Sequence, residues 1–230
     1  SDDRLADNST DTLRAALRQP TPERVFQIKR AMLAGLTVAE IFELTWIDPW
    51  FLQQLHELLD AERRWTALPE ITASEMRRMK RMGFSDRQLG VLRGVSEGEV
   101  RSTRWALGVR PAYKMVDTCA GEFPSATPYL YGSYDEESEA PPSGRKSIVI
   151  LGSGPNRIGQ GVEFDYCCVR ASLALRDQGF ETIMINSNPE TVSTDFDISD
   201  KLYFEPLTLE HVLEIVDREK AVGVIVQLGG

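Results

Sequence analysis

The chain is poor in the residues that announce metal, disulfide and membrane chemistry. Among 230 residues it has two histidines and three cysteines, Cys119, Cys167 and Cys168. An odd cysteine count with a vicinal pair argues against a disulfide framework and suits a reducing compartment. No histidine or cysteine stands at metal-ligand spacing, so no structural zinc is expected. Apolar runs are no longer than stretches such as "VGVIV", far short of a bilayer span, and no membrane association is expected. Basic residues are also in deficit, 26 Lys and Arg against 35 Asp and Glu, for a net charge of -9. That balance argues against a surface built wholly for nucleic acid. The opening "SDDRLADNST" is polar and acidic, unlike a secretory leader, and the expected location is cytoplasmic.

What is present divides into two grammars. Up to about residue 110 the chain carries helix punctuation. Thr37 with Glu40, Thr72 with Glu75 and Ser96 with Glu99 have the spacing of capping boxes, and Asp48-Pro49 is an N-cap followed by proline at the first helical position. Gly35, Gly83, Gly94 and Gly108 stand where helices should stop. In "PWFLQQLHELLDAERR", Phe51, Leu52, Leu55, Leu58 and Leu59 are expected to form one apolar stripe. Six or seven short helices and no strand are expected between Asp11 and Leu107. Trp46, Trp50 and Trp65 read as core or interface aromatics.

Residues 111–146 hold Pro111, Pro124, Pro128, Pro141 and Pro142 and the acidic run "YDEESEAPPSGRK", which reads as a linker. Its aromatic part, "FPSATPYLYGSY", is expected to lie against a surface. From Ser147 strand and helix patterns alternate: "SIVILG", a glycine loop, the helix "VEFDYCCVRASLALRDQG", "ETIMIN", a polar loop, "KLYF", the helix "LTLEHVLEIVDREK" and "VGVIVQ". Such alternation makes a parallel sheet covered on both faces. The fold class expected is thus an all-α domain at 1–110 followed by an α/β Rossmann-like domain at 147–230. The latter is expected to be incomplete, because a last strand ending in Gly229-Gly230 leaves apolar sheet surface uncovered. Cys167 and Cys168 read as packed thiols on a helix.

The loop "LGSGPNRIGQG", residues 151–161, looks like a phosphate cradle and fits neither common pattern. Gly154 and Gly159 have P-loop spacing, but Gln160-Gly161 replaces the lysine and hydroxyl. Gly152 and Gly154 start a dinucleotide fingerprint, but Arg157 fills the third glycine position and Asn186 ends the second strand where a carboxylate would hold a ribose. There remains a sharp turn at the carboxyl edge of a parallel sheet, where helix amides and Arg157 favour an anion, or simply a strand-to-helix connection. In the later loop "NSNPETVSTDFDISD", Thr191, Ser193, Thr194, Asp195 and Asp197 have the chemistry to ligate or cap, although most read as solvated turn residues. The stretch "DRQLGVLRGVSEGEVRSTRWALG" has helix-turn-helix spacing at Gly90, Gly94 and Val100. Nine basic residues stand between Arg77 and Arg110 against Asp86, Glu97 and Glu99. The alternative there is a small helical bundle with arginines lying over it.

The run "GPNRIGQGVEFDYCCVRASLALRDQGFETIMINSNPETVSTDFDISDKLYFEPLTLE" closely resembles the large subunit of carbamoyl phosphate synthetases, at the start of its second synthetase half. The strings "AGLTVAEIFELTWIDPWFLQQLHEL", "KRMGFSDRQL" and "PAYKMVDTCAGEF" resemble the oligomerisation domain between the two halves. The resemblance implies a ligase that makes carbamoyl phosphate from bicarbonate, glutamine-derived ammonia and two ATP for arginine and pyrimidine synthesis. It implies a glutaminase small subunit as partner, association with other large subunits through the helical domain, and ATP with Mg2+ or Mn2+, K+ being possible. Those cofactors would be held by residues beyond this chain, so none is expected to bind it tightly, and no catalytic residue is expected within it. The loop would belong to a pre-ATP-grasp lobe. By this resemblance Asn156, Arg157, Gly159, Gln160, Gly161, Glu163 and Asn188 would line a carbamate passage and the floor of the active site. The competing class is a helix-turn-helix regulator joined to a Rossmann-like ligand sensor.

Overall fold

Helix-stopping glycines and side-chain caps set the boundaries of the first elements. A computed structural model describes residues 9–123, 127–155 and 163–226, except for the side chains of 163 and 164. Seven helices come first: α1 (Thr10–Leu17), α2 (Arg24–Leu33), α3 (Val38–Thr45), α4 (Pro49–Ala67), α5 (Ala73–Arg81), α6 (Asp86–Arg93) and α7 (Glu97–Ala106). Thr37 and Ser96 close complete capping boxes with Glu40 and Glu99. Thr72 accepts from the Glu75 N–H, while the Glu75 carboxylate pairs with Arg78 at 3.1 Å. Asp48 caps α4 ahead of Pro49. Gly35, Gly83, Gly94 and Gly108 all have positive φ, the conformation that ends a helix without a Cβ penalty.

The described chain forms two compact units. The first comprises the described part of Ser1–Ile71 with Leu89–Val95. Its core is apolar: Leu17, Ile28, Met32, Leu36, Ile41, Leu44, Leu52 and Leu59 pack together. The guanidinium of Arg24 donates to the carbonyls of Leu17 and Thr45, satisfying the ends of α1 and α3. The expected stripe of α4 divides. Leu52 and Leu59 are buried, whereas Phe51 and Leu58 are exposed, because an arc of five adjacent apolar positions is wider than the face this unit covers. Trp65 is buried and donates to the carbonyl of Leu89; Trp46 and Trp50 are exposed rather than core.

The second unit comprises Thr72–Gln88 with the described part of Ser96–Gly230. It holds a six-stranded sheet built from β1 (Ala112–Met115), β2 (Tyr129–Ser133), β3 (Ser147–Leu151), β4 (Glu181–Asn186), β5 (Lys201–Phe204) and β6 (Gly223–Ile225). The spatial order is β1-β2-β5-β4-β3-β6, parallel except for β1 against β2. Helices α8 (Glu163–Asp177) and α9 (Leu209–Glu219) cover opposite faces. Ile183 and Ile185 pack with Val212, Ile215 and Val216 of α9, while Met184 and Ile150 pack with Cys168, Ala171 and Leu175 of α8. This is the period-two alternation of a strand buried on both sides. Cys168 is buried, and its desolvated thiol is pushed up to about 11; Cys167 is exposed and is not packed, since adjacent residues on a helix point in different directions.

Residues read as linker contribute β1 and β2. Their pairing is non-local, with β2 parallel to β5 and Tyr129 opposite Leu202, and proline-rich flanks conceal it. The acidic run returns beside β1, where the Glu139 N–H donates to the Tyr113 carbonyl and the Glu139 carboxylate accepts the Met115 N–H.

Charge is buried throughout this unit. Arg104, fully buried, donates from Nε and Nη2 to the Asp86 carboxylate, from Nη1 to the Val109 carbonyl, and pairs with Glu214 at 2.7 Å. Lys80 Nζ donates to the Phe84 carbonyl, Asp86 and Glu210, and Glu210 also accepts the Asp86 N–H. Arg110 joins Glu214 and Asp217. Helices α5 and α7 are thereby fastened to α9 by desolvated, hydrogen-bonded ion pairs.

Candidate functional site

The carboxyl edge of the parallel sheet gathers the loops after β3 and β4, the place where open α/β sheets build sites. Asn186, the fully buried last residue of β4, joins them. Its Oδ1 accepts the N–H groups of Gly154 and Asn188, both at 3.2 Å, and its Nδ2 donates to Ser193 Oγ. Gly152 is required by this contact: a Cβ there would lie 2.5 Å from Asn186 Cγ. Gly154 has φ +75°, the left-handed turn that brings its N–H to Asn186. The two glycines of the apparent dinucleotide fingerprint thus serve a close approach of the chain to its own asparagine.

A second node is Asp165, buried in the first turn of α8. Its Oδ2 accepts from Thr191 Oγ1 at 2.7 Å and from the Ser193 N–H at 2.6 Å; its Oδ1 accepts from Ser193 Oγ at 2.7 Å and Ser153 Oγ at 3.4 Å. Thr194 Oγ1 donates to the Thr191 carbonyl within a short 3-10 turn, Val192–Thr194. The Asn188 N–H is held by Asn186, and Asn188 Oδ1 accepts the Glu190 N–H, which sets the loop's first bend.

These contacts bear on phosphate. A P-loop offers a lysine and free amides at the start of its helix; here a buried carboxylate occupies the first turn of α8, and its field repels a polyphosphate. The described residues of this edge therefore do not fit a nucleoside triphosphate. Among the described residues no group of three or more His, Cys, Asp or Glu is arranged to hold a metal ion.

Of the residues assigned by resemblance, Asn188 lies at this edge, buried and hydrogen-bonded. Asn156, Arg157, Gly159, Gln160 and Gly161 lie outside the described residues; Glu163 opens α8, its side chain likewise outside them. Thr191, Ser193 and Thr194 are not solvated turn residues: Asp165 draws the first two inward and Thr194 closes the 3-10 turn. Asp195 and Asp197 are exposed. Sequence reasoning gave Asp165 no role and noted Asn186 only for not being a carboxylate. An acid in a first helical turn is ordinarily a favourable end charge, and only folding brings it to residues 26 and 28 positions later.

The basic stretch from Arg77 to Arg110 is largely occupied within the protein. Lys80, Arg104 and Arg110 serve the buried ion pairs and Arg78 pairs with Glu75. Arg81 donates to the Tyr134 carbonyl, and Arg93 to the carbonyls of Trp65 and Leu68. Six of the nine cations thus have partners within the protein, so the charge density of the stretch lends little support to a nucleic-acid reading.

Residues 1–108 match the family model described as carbamoyl-phosphate synthetase large chain, oligomerisation domain. Residues 144–230 match the carbamoyl phosphate synthase preATP-grasp domain. Over 229 residues, 100% of this chain, it is 74% identical to a carbamoyl phosphate synthase large chain of Gemmatimonas aurantiaca, of which it covers 21%. It is 56% identical over 99% of its length to that of Xanthomonas axonopodis pv. citri, again covering 21%. To a chloroplastic arginine-specific large chain of Arabidopsis thaliana it is 55% identical over 96% of its length, covering 19%. The chain spans about a fifth of the length of the curated relatives it matches. Two family models with an expected domain order, and identity sustained from one end to the other, place the chain in the family of carbamoyl phosphate synthase large chains.

Proposed function

We propose that this chain is a working part of a glutamine-dependent carbamoyl phosphate synthase, a ligase that joins bicarbonate, glutamine-derived ammonia and phosphate from two ATP. The product serves arginine and pyrimidine synthesis in the cytoplasm. Residues 1–110 supply the helical oligomerisation domain through which large subunits associate, 111–146 connect onward while lending β1 and β2 to the sheet, and 147–230 begin a Rossmann-like pre-ATP-grasp lobe. A glutaminase small subunit supplies ammonia. ATP with Mg2+ or Mn2+, and K+, is held by residues outside this chain, so the chain alone is inactive. The observation that carries this reading is the 74% identity over the whole chain to a carbamoyl phosphate synthase large chain.

Within that enzyme this chain's residues shape and do not react. Asn186 and Asp165 fix the two loops of the sheet edge by neutral and charge-assisted hydrogen bonds. Asn156, Arg157, Gly159, Gln160, Gly161, Glu163 and Asn188 border a carbamate passage, and the small residues among them leave room for the intermediate. No lysine is needed at the loop, because no triphosphate sits on it.

The test is product formation by the large subunit containing these residues, assembled with its glutaminase. Carbamoyl phosphate should form from bicarbonate, glutamine and Mg-ATP, with Gly161→Leu consuming ATP while making less product. Absence of product from the unaltered complex overturns the reading. Magnesium-ATP calorimetry on this chain alone should show no heat of specific binding; a micromolar Kd, about -8 kcal/mol, contradicts the division of labour.

A further inference from the structure

Asp165 is a buried carboxylate that the passage, as assigned, does not use. It stands at the start of α8, and among the described residues its hydrogen-bond partners lie on the two loops of the sheet edge: Ser153 on one, Thr191 and Ser193 on the other. Ser193, fully buried, gives it both a backbone N–H and a hydroxyl, and accepts in turn from Asn186 Nδ2. The loop from Asn188 to Thr194 is therefore clamped at both ends, by Asn186 at its start and by Asp165 at its finish. The exposed Glu190 and the buried Asn188 are carried between the clamps.

We propose that Asp165 is the positioning residue of this loop: by holding Thr191 and Ser193 against α8, it sets where Asn188 and Glu190 stand at the sheet edge, and so the efficiency with which carbamate is handed on. The inference rests on the carbamoyl phosphate reading above. Physically, a carboxylate suits the task because Oδ2 receives a backbone N–H and a hydroxyl together. The Ser193 amide hydrogen cannot rotate away, so losing its acceptor strands a buried donor. With that anchor gone the loop shifts, and displacements of about 1 Å around a reacting intermediate cost up to ~10²-fold in rate.

The substitutions separate positioning from mere stability. In the complete subunit with its glutaminase, Asp165→Ala should lower coupled product formation about tenfold while glutamine hydrolysis and ATP consumption continue. Asp165→Asn keeps one acceptor for the Ser193 N–H, and the hydroxyls can turn to accept from its amide, so it should be milder. Thr191→Val removes one hydroxyl at constant shape and should raise ATP consumed per product; Thr191→Ser should restore the unaltered ratio. This pair decides the matter if Asp165→Ala fails to fold. Hydrogen exchange of the Ser193 amide should quicken in Asp165→Ala and stay slow in Asp165→Asn. An active complex in which Thr191→Val keeps the normal ratio, or in which all partial activities fall in proportion to melting temperature, overturns this inference alone. An unaltered complex that makes no carbamoyl phosphate overturns the underlying reading together with it.

Discussion

The two compact units of this chain are held together by opposite means. In the first, the buried side chains are almost all apolar, and ion pairs such as Lys29 with Glu62 are partly exposed. In the second, Lys80, Asp86, Arg104, Glu205, Glu210, Glu214 and Glu219 are all buried. Apolar burial is non-directional and forgiving of volume-conserving changes. A buried ion pair is directional: it gains little over a well-packed apolar substitute, but losing one partner leaves a desolvated charge. The first unit should therefore tolerate conservative substitution, and the second should register helices α5, α7 and α9 in one arrangement and resist change.

Matched substitutions break or sharpen that contrast, and the largest effect is expected at Arg104. Arg104→Met preserves much of the volume yet leaves buried Asp86 with Lys80 alone and buried Glu214 with Arg110 alone, each short of a cation, so urea unfolding should show a loss of up to about 3–5 kcal/mol. Leu52→Met, at an equally buried site of the first unit, should cost less than about 1.5 kcal/mol. Equal costs would mean that the two units are governed by the same physics after all.

Glu205 gives a subtler test within the second unit. It is buried, accepts the Gly132 N–H, and lies 3.7 Å from His211 Nε2; burial raises its pKa and lowers that of His211. Glu205, Glu210 and Glu214 line one small cavity with His211, Tyr113 and Tyr134, and the two phenols are pushed up by burial first and by the neighbouring carboxylates. A raised folded-state pKa means that the native protein binds more protons than the unfolded chain in the window above 4.5, so this group's contribution falls as pH rises through it. Glu205→Gln keeps an acceptor for Gly132 without the charge. It should flatten the stability-pH curve over that window and leave the protein no less stable at neutral pH. A curve with unchanged slope would mean that Glu205 is ionised at no cost.

The contrast also explains what was legible in the sequence. Local signals were: the capping pairs Thr37/Glu40 and Ser96/Glu99, the stop glycines, and the apolar runs that became β3, β4 and β6. The strands β1 and β2 were not, because their stability comes from partners on other parts of the chain. Nor were the glutamates of α9. Nothing local in the sequence marks Glu210, Glu214 and Glu219 as buried; Lys80, Arg104, Lys201 and Tyr203 reach them from distant positions. At the sheet edge the sequence showed that the glycine loop lacked a phosphate lysine. It carried no sign that Gly152 makes way for Asn186 or that Asp165 gathers the serine and threonine cluster. Charged and polar contacts between distant positions have no periodicity, and so leave no pattern to read.

The smallest predicted effect compares the same device in the two units. Each has a complete capping box, Thr37 with Glu40 in the first and Ser96 with Glu99 in the second. Both carboxyls are held below their ordinary value of 4.5. Glu99 is lowered chiefly by the Ser96 hydroxyl and then by its backbone N–H. Glu40 falls to about 2 through the Thr37 N–H first, with the Arg14 guanidinium next and the Thr37 hydroxyl after it. A depressed folded-state pKa contributes stability that is present above 4.5 and is lost as pH falls through the folded value, here toward about 2 for Glu40. Carboxyl NMR titration should therefore find Glu40 the more acidic of the two. Arg14→Gln should raise the Glu40 midpoint toward that of Glu99 and leave Glu99 where it is, since Glu99 is held low by the Ser96 hydrogen bonds rather than by a cation. Thr37→Ala should raise the Glu40 midpoint as well and cost about 1 kcal/mol by removing the cap itself. If Arg14→Gln moves neither midpoint, the difference between the boxes lies in backbone geometry, and the surface ion pair contributes nothing measurable, as many exposed pairs do not.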